Sequence, residues 1–278
     1  MLRLRIASAL AAGMVCVAPA SAADSTPASA LVAAPVMAAP APWQFQATLY
    51  GWATSLGGGI GVGRLPSSSV DVSFDDILRH LDGDFMGSFI ARNDTFIVGA
   101  DLVWSRLGDS MTFKAEGGAP FSDLHPGASV SLTQDMTIVT AFAGYRIPLA
   151  SPDVSLYGTV GARYQNLTAD VDLTHKNFAR SLQQTEDWVD PVLGLAMNYR
   201  ISEKWFFNAL GDIGGFGVGS KLTTQGLVAV GYNWTSSLST SAGYRALYTD
   251  YQQSSGAGGS FRWNATLYGP FMALNYNF

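Results

Sequence analysis

The chain has 278 residues, 48% of them hydrophobic and 13% charged, with 30 glycines and a net charge of −5. Globular proteins average roughly 25% charged residues, so polarity here has to come from Ser, Thr, Asn, Gln and Gly. Aromatics at 12% exclude a disordered chain, and the excess of acids over bases, with no basic cluster, excludes a nucleic-acid binder.

Residues 1–22 read as a secretory signal peptide. Arg3 and Arg5 supply the positive start, residues 6–17 the short apolar stretch, and Ala20-Ser21-Ala22 the small-residue cleavage site. The competing reading is an anchor helix, for which the run is short against a span of about 20 residues. Cys16 is the one cysteine and lies inside this segment. Gly13, Met14 and Val15 before it match a lipoprotein site poorly, so a mature chain without disulfides or thiolate metal ligands is expected. Residues 23–42 are Ala/Pro-rich, and Pro27, Pro35, Pro40 and Pro42 prevent a continuous helix. They read as a flexible lead-in, or less simply as a tether, to one domain over 43–278.

A short helix is predicted over residues 73–81. Ser73 caps it, Asp75 and Asp76 favour its first turn, and Phe74, Ile77, Leu78 and Leu81 share one face. It lies in a long connector, where it would cap or plug one mouth. Elsewhere alternation dominates. Phe96, Val98, Ala100, Leu102 and Trp104 alternate with polar or small residues, as do Val154, Leu156, Val160, Ala162 and Tyr164. Val189, Leu193, Leu195, Met197 and Tyr199 do the same, and so do Leu238, Ala242, Tyr244, Ala246 and Tyr248. Segments of about ten residues, apolar outward and polar inward, are the pattern of a transmembrane β-barrel. A soluble sandwich also alternates, but its polar face is usually rich in Lys and Glu. Here that face is Ser, Thr, Asn, Gly and isolated charges, which suits a confined lumen. Trp43, Tyr145, Tyr164, Trp188, Tyr199, Trp205, Tyr232, Trp234, Tyr244, Tyr248 and Tyr268 sit near strand ends as candidates for the interfacial girdles.

Short turns are predicted at 92–94, 149–153, 202–204 and 233–237. Longer connectors are predicted at about 55–82, 116–127, 168–184, 214–220 and 252–260. This gives an all-β, antiparallel up-and-down barrel of about ten strands, with eight to twelve open because 57–72 could form its own hairpin. The glycine-rich stretch 211–220 lacks the Lys-Ser/Thr of a phosphate loop and any βαβ context, and reads as a tight hairpin or kinked strand.

The chain closes on Met272, Leu274, Tyr276 and Phe278 at period two, with Asn275 and Asn277 between them. This resembles the last strand of bacterial outer-membrane barrels, whose terminal aromatic is read by the assembly machinery. Residues 211–220, Ala242-Gly243-Tyr244-Arg245-Ala246-Leu247-Tyr248, Gly269-Pro270-Phe271 and the 73–81 helix together resemble a largely uncharacterised, porin-like family of proteobacterial outer-membrane β-barrel proteins. Thr223-Thr224 and Asn233-Trp234 depart from it, standing where aromatic or basic residues would be expected. The resemblance implies a barrel and an outer-membrane address, and carries no catalytic residues.

The inward parity places Asp101, Arg163, Asp190, Asp212 and Arg245 in the lumen, as a salt-bridged filling or a charged constriction. Leu274, Tyr276 and Phe278 form the expected assembly signal. Expected partners are outer-membrane lipid and the barrel-assembly machinery; no cofactor or metal is expected, and a monomer is favoured. The function expected is structural, or a narrow passive pore for small polar solutes. One alternative is a lipid hydrolase or acyltransferase using loop residues around His80, Ser122, Asp123, His125, Asp172 and His175, although no nucleophile-elbow motif positions them. Another is a surface-binding, adhesin-like barrel.

Overall fold

The computed structural model describes residues 42–61, 68–72, 81–107, 113–114, 129–175, 178–255 and 259–278. All of these belong to one compact unit, residues 41–278. The predicted signal peptide and all but the last residue of the predicted lead-in lie outside the described residues. So do residues 73–80 of the predicted helix, with Phe74, Ile77 and Leu78. Leu81, its last predicted residue, is instead the first residue of a strand.

In chain order the strands are β1 (Gln44–Trp52), β2 (Ser55–Gly61), β3 (Ser68–Val72), β4 (Leu81–Arg92), β5 (Phe96–Leu107), β6 (Phe113–Lys114) and β7 (Ser129–Ile147). There follow β8 (Val154–His175), β9 (Phe178–Arg200), β10 (Trp205–Gly215), β11 (Leu222–Asn233), β12 (Leu238–Ser255) and β13 (Gly259–Asn277). Ten of them close a ring in the order β1, β4, β5, β7, β8, β9, β10, β11, β12, β13, and β13 pairs back onto β1. Closure leaves the ring no free edge. The hairpin β2–β3 rides on β13 and β6 on β7. Among the described residues there is no helix.

The strands form because period-two sequence lets one face meet the lumen and the other the surroundings. Tight turns at 93–95, 148–153, 201–204 and 234–237 join them at one end, which also holds Trp43 and Phe278; this is called the turn end here. Side chains fix these turns. Asn93 Oδ1 accepts from the amides of Thr95 and Phe96 at 2.8 and 2.6 Å, and Thr235 Oγ1 accepts from that of Leu238 at 2.9 Å. The opposite, loop end differs from expectation in two places. The stretches 168–184 and 252–260 are not long loops: β8 runs to His175 and β9 resumes at Phe178, while β12 runs to Ser255 and β13 resumes at Gly259. Backbone pairing continues there although the outward apolar pattern that marks a lipid-facing strand has stopped.

The seam between first and last strands is interrupted between Trp52 and Ser55. β2 continues the line of β1 along β13 in one register, with Trp52 opposite Phe271 and Ser55 opposite Tyr268. Between them Pro270 has no N–H to give the ladder, and the Ala53 amide donates to its carbonyl at 2.9 Å. Gly269 passes so close that any Cβ there would strike the Ala53 carbonyl.

Candidate functional site

The outward face carries the apolar band. Leu49, Val160, Leu193, Leu195, Ile213, Val228 and Met272 are all at least 48% exposed. Toward the turn end it is flanked by Trp43, Phe96, Tyr145, Tyr199, Trp205, Trp234, Tyr276 and Phe278, all exposed. Phe278 stacks on Phe45 and Tyr276, with ring centroids 5.7 and 5.9 Å apart. Leu274, Tyr276 and Phe278 all point outward. Trp188, predicted for a girdle, is only 6% exposed and points into the lumen. It lies on the same parity as the inward Asp190, two residues away, so its place follows from the pleat.

The polarity of the two faces reverses along the strands. On β13 the turn-end half is apolar outside at Met272, Leu274 and Tyr276 and polar inside at Asn275. The loop-end half is the opposite: Phe261, Trp263, Ala265 and Leu267 are buried inside, while Arg262 and Asn264 are exposed outside. β12 repeats this, with Ser239, Ser241 and Arg245 buried below Leu247 and Tyr251. Outward charges mark the same level, where Arg106 and Asp135 pair at 3.3 Å just beyond Trp104. From Val189 to Tyr199 the band covers about eleven residues, which at about 3.3 Å each and a tilt of about 40° rise about 25 Å. That is the apolar thickness of a barrel crossing a bilayer.

The lumen is therefore layered. At the loop end Trp52, Leu56, Met86, Val103, Ile138, Leu167, Trp188, Leu247, Tyr251, Phe261, Trp263 and Leu267 pack into one apolar cluster. Trp188 and Tyr251 stack with centroids 4.0 Å apart and planes 10° apart.

Below it, all five charges assigned to the lumen enter one polar layer. Arg163 is fully buried; its Nη2 donates to Asp212 Oδ2 at 2.7 Å, its Nε to Thr140 at 3.1 Å and its Nη1 to Thr223 at 3.0 Å. Arg245 Nη2 donates to Asp101 Oδ1 and to Gln225 Oε1, both at 2.8 Å. Arg245 Nη1 donates to Tyr50 Oη at 2.6 Å, and that hydroxyl donates to Asp101 Oδ2 at 2.7 Å. The Arg245 guanidinium also lies 4.8 Å from the Trp52 ring centre, within cation–π range. Gln225 Nε2 reaches Asp212 at 3.5 Å, joining the two ion pairs.

Asp190 forms no ion pair among the described residues, yet it is completely buried. Hydrogen bonds replace the cation, as a buried carboxylate requires. Ser220 donates from its amide at 2.6 Å and its hydroxyl at 2.8 Å, and Trp188 Nε1 from 3.2 Å. Asp190 thus pins the 216–221 turn, in which Phe216 and Gly217 adopt positive φ. Asp190→Ala is expected to speed hydrogen exchange at the Ser220 amide by about tenfold or more, matching a lost charged hydrogen bond. Amide exchange followed by mass spectrometry reads this, and an unchanged Ser220 peptide would refute the anchoring role.

Sequence parity found the five charges and missed their partners Tyr50, Thr140, Thr223 and Gln225, all inward on β1, β7 and β11. Reading the alternation of β11 as Thr223, Gln225, Leu227 and Ala229 against Thr224, Gly226 and Val228 would have found two of them. Below the polar layer, toward the turn end, lies a cavity of about 190 Å3. Arg92 lines it and also lines a wider recess of about 720 Å3 at the turn-end mouth. His80, Ser122, Asp123 and His125 lie outside the described residues, and His175 ends β8. No group of three or more His, Cys, Asp or Glu able to hold a metal occurs among the described residues.

No family model matches the chain, and no curated protein does. Solved structures of similar fold include Ail, the attachment invasion locus protein of Yersinia pestis, in complex with the heparin analogue sucrose octasulfate. It shows 11% identity over 85% of this chain and 98% of its own, with a TM-score of 0.34. The translocator domain of the autotransporter NalP from Neisseria meningitidis shows 13% identity over 85% and 88%, with a TM-score of 0.42. The Pseudomonas putida toluene transporter TodX shows 11% over 86% and 90%, with a TM-score of 0.31. These likenesses are distant and carry no implication about activity.

Proposed function

We propose that the protein is an integral barrel of the bacterial outer membrane whose lumen is shut by its own side chains, so that it serves as a structural, loop-displaying barrel and not as an open pore. The reading rests on the two stacked seals. Any solute moving along the axis meets the apolar cluster at the loop end and then the Arg163–Asp212 and Arg245–Asp101 layer. The short turns and both described chain ends point to the periplasm, and the paired extensions of β8–β9 and β12–β13 stand outside the cell. At that level β12 and β13 turn Leu247, Tyr251, Phe261 and Trp263 inward and Arg262 and Asn264 outward.

Planar-bilayer recording of refolded protein tests this. The expected result is a silent bilayer from protein whose folding is shown by a heat-dependent shift in gel mobility. Reproducible conductance steps from the same protein would overturn the sealed lumen and restore the narrow-pore reading.

A further inference from the structure

Arg92 stands apart from the two ion pairs of the lumen. It ends β4 on the inward parity of Ser88 and Ile90, and with them it lines the cavity beneath the polar layer. Of the other charged side chains lining that cavity, Arg245 pairs with Asp101, and Asp212 pairs with Arg163. Arg92 forms no ion pair among the described residues, although it is partly buried. Its titratable neighbour is Tyr157, whose hydroxyl donates to the Asn93 carbonyl at 2.9 Å and, being neutral, offsets no charge. The cavity therefore carries one unmatched positive charge. Arg92 also lines the turn-end recess, where the side chains of Glu203 and Lys204 contribute one charge of each sign.

The walls around Arg92 set the rest. Ile97 stands directly opposite it on β5, and Ile90 lies two residues back on the same face. Beyond them the cavity is walled by Phe142, Leu210, Leu227 and Phe271. A cavity of roughly 150 Å3 lined by aliphatic and aromatic side chains holds one benzene ring, and this one measures about 190 Å3. A dianion would bring a second charge toward Asp101 and Asp212 with no cation to match it. A carboxylate carries one charge and offers two oxygens to the guanidinium fork. We infer that this cavity is a binding site for a small monocarboxylate with an apolar body of one ring's size, which enters from the turn-end recess, sets its carboxylate on Arg92 and lays its body against the apolar walls. The ligand needs no passage through the lumen, so the site does not depend on whether the barrel conducts.

The test uses the full refolded protein in phosphatidylcholine nanodiscs and 19F NMR, with 4-fluorobenzoate as the probe. Protein-free nanodiscs give the partitioning background. Above it, 4-fluorobenzoate is expected to bind saturably. 4-Fluorobenzamide, which keeps the shape without the charge, and trifluoroacetate, which keeps the charge without the ring, are expected to bind about tenfold more weakly or worse. Arg92→Gln is expected to weaken 4-fluorobenzoate by about tenfold and to leave 4-fluorobenzamide unchanged. Ala229 and Ala273 are buried and line the cavity. Ala229→Leu fills it and is expected to abolish the saturable signal, and Ala273→Leu does the same if Ala229→Leu fails to fold. The heat-dependent mobility shift identifies folded variants. A 4-fluorobenzoate signal no greater than that of empty nanodiscs, or one that persists in a folded filling variant, overturns the site. Equal binding of 4-fluorobenzamide by the parent, or undiminished 4-fluorobenzoate binding by folded Arg92→Gln, overturns the role of Arg92; should that variant not fold, the comparison on the parent decides alone. Equal binding of trifluoroacetate overturns the role of the apolar walls.

Discussion

Arg163→Leu is expected to destabilise the barrel by about 3–5 kcal/mol, the usual cost of stripping one partner from a buried ion pair. The guanidinium is fully buried, and its loss leaves the Asp212 carboxylate, 8% exposed, with Gln225 at 3.5 Å as its remaining partner. Thr140 and Thr223 lose their donor as well. The double variant Arg163→Leu/Asp212→Leu removes both charges and is expected to recover most of the loss, because the desolvation cost goes with them. Urea titration followed by the mobility shift reads both. A single variant within about 1 kcal/mol of the parent would mean that the pair is wetted and exposed.

Trp263→Ala is expected to cost about 3–5 kcal/mol, the range for truncating a large aromatic in a packed core. Trp263 is 4% exposed and sits in the loop-end cluster with Leu247, Phe261 and Leu267. The variant should still be silent in a planar bilayer, because the polar layer beneath is intact. Combining it with Arg245→Ala breaches both seals, and conductance is expected only then. Steps from Trp263→Ala alone would show that the apolar cluster is the whole barrier.

The barrel was legible because its lipid-facing half obeys one rule: apolar at every second residue, with Gly, Ser, Thr and isolated charges between. β5, β8, β9 and β12 all display it, and the inward charges followed from parity. The loop-end half was not legible under that rule. Outside the bilayer the demand on each face changes sign, so Arg262 and Asn264 point outward while Phe261 and Trp263 fill the lumen. A reader who looks for apolar-outward strands sees loops at 168–184 and 252–260, and takes Trp188 for a girdle residue. The reversal is itself a readable signal, since the parity of the large residues on β13 switches between Leu267 and Met272. The pairing of Arg163 with Asp212 and of Arg245 with Asp101 had no sequence signature, because it joins residues that lie 49 and 144 positions apart in the chain.

The polar layer also bears on how the molecule comes into being. Arg245 bonds Tyr50 across 195 residues of chain, and Gln46 bonds Asn275 across 229. Until β12 and β13 are in place, Asp101 and Tyr50 have no guanidinium. Each such long-range closure must be reached before its contacts repay the lost chain freedom. A chain stopped after β11 would therefore be a sheet with two open edges, β1 and β11, and an unneutralised Asp101 on β5, without the seam or the Arg245 pair. The Arg163 pair needs only β7, β8, β10 and β11, whereas the Arg245 pair and the seam wait for the last two strands.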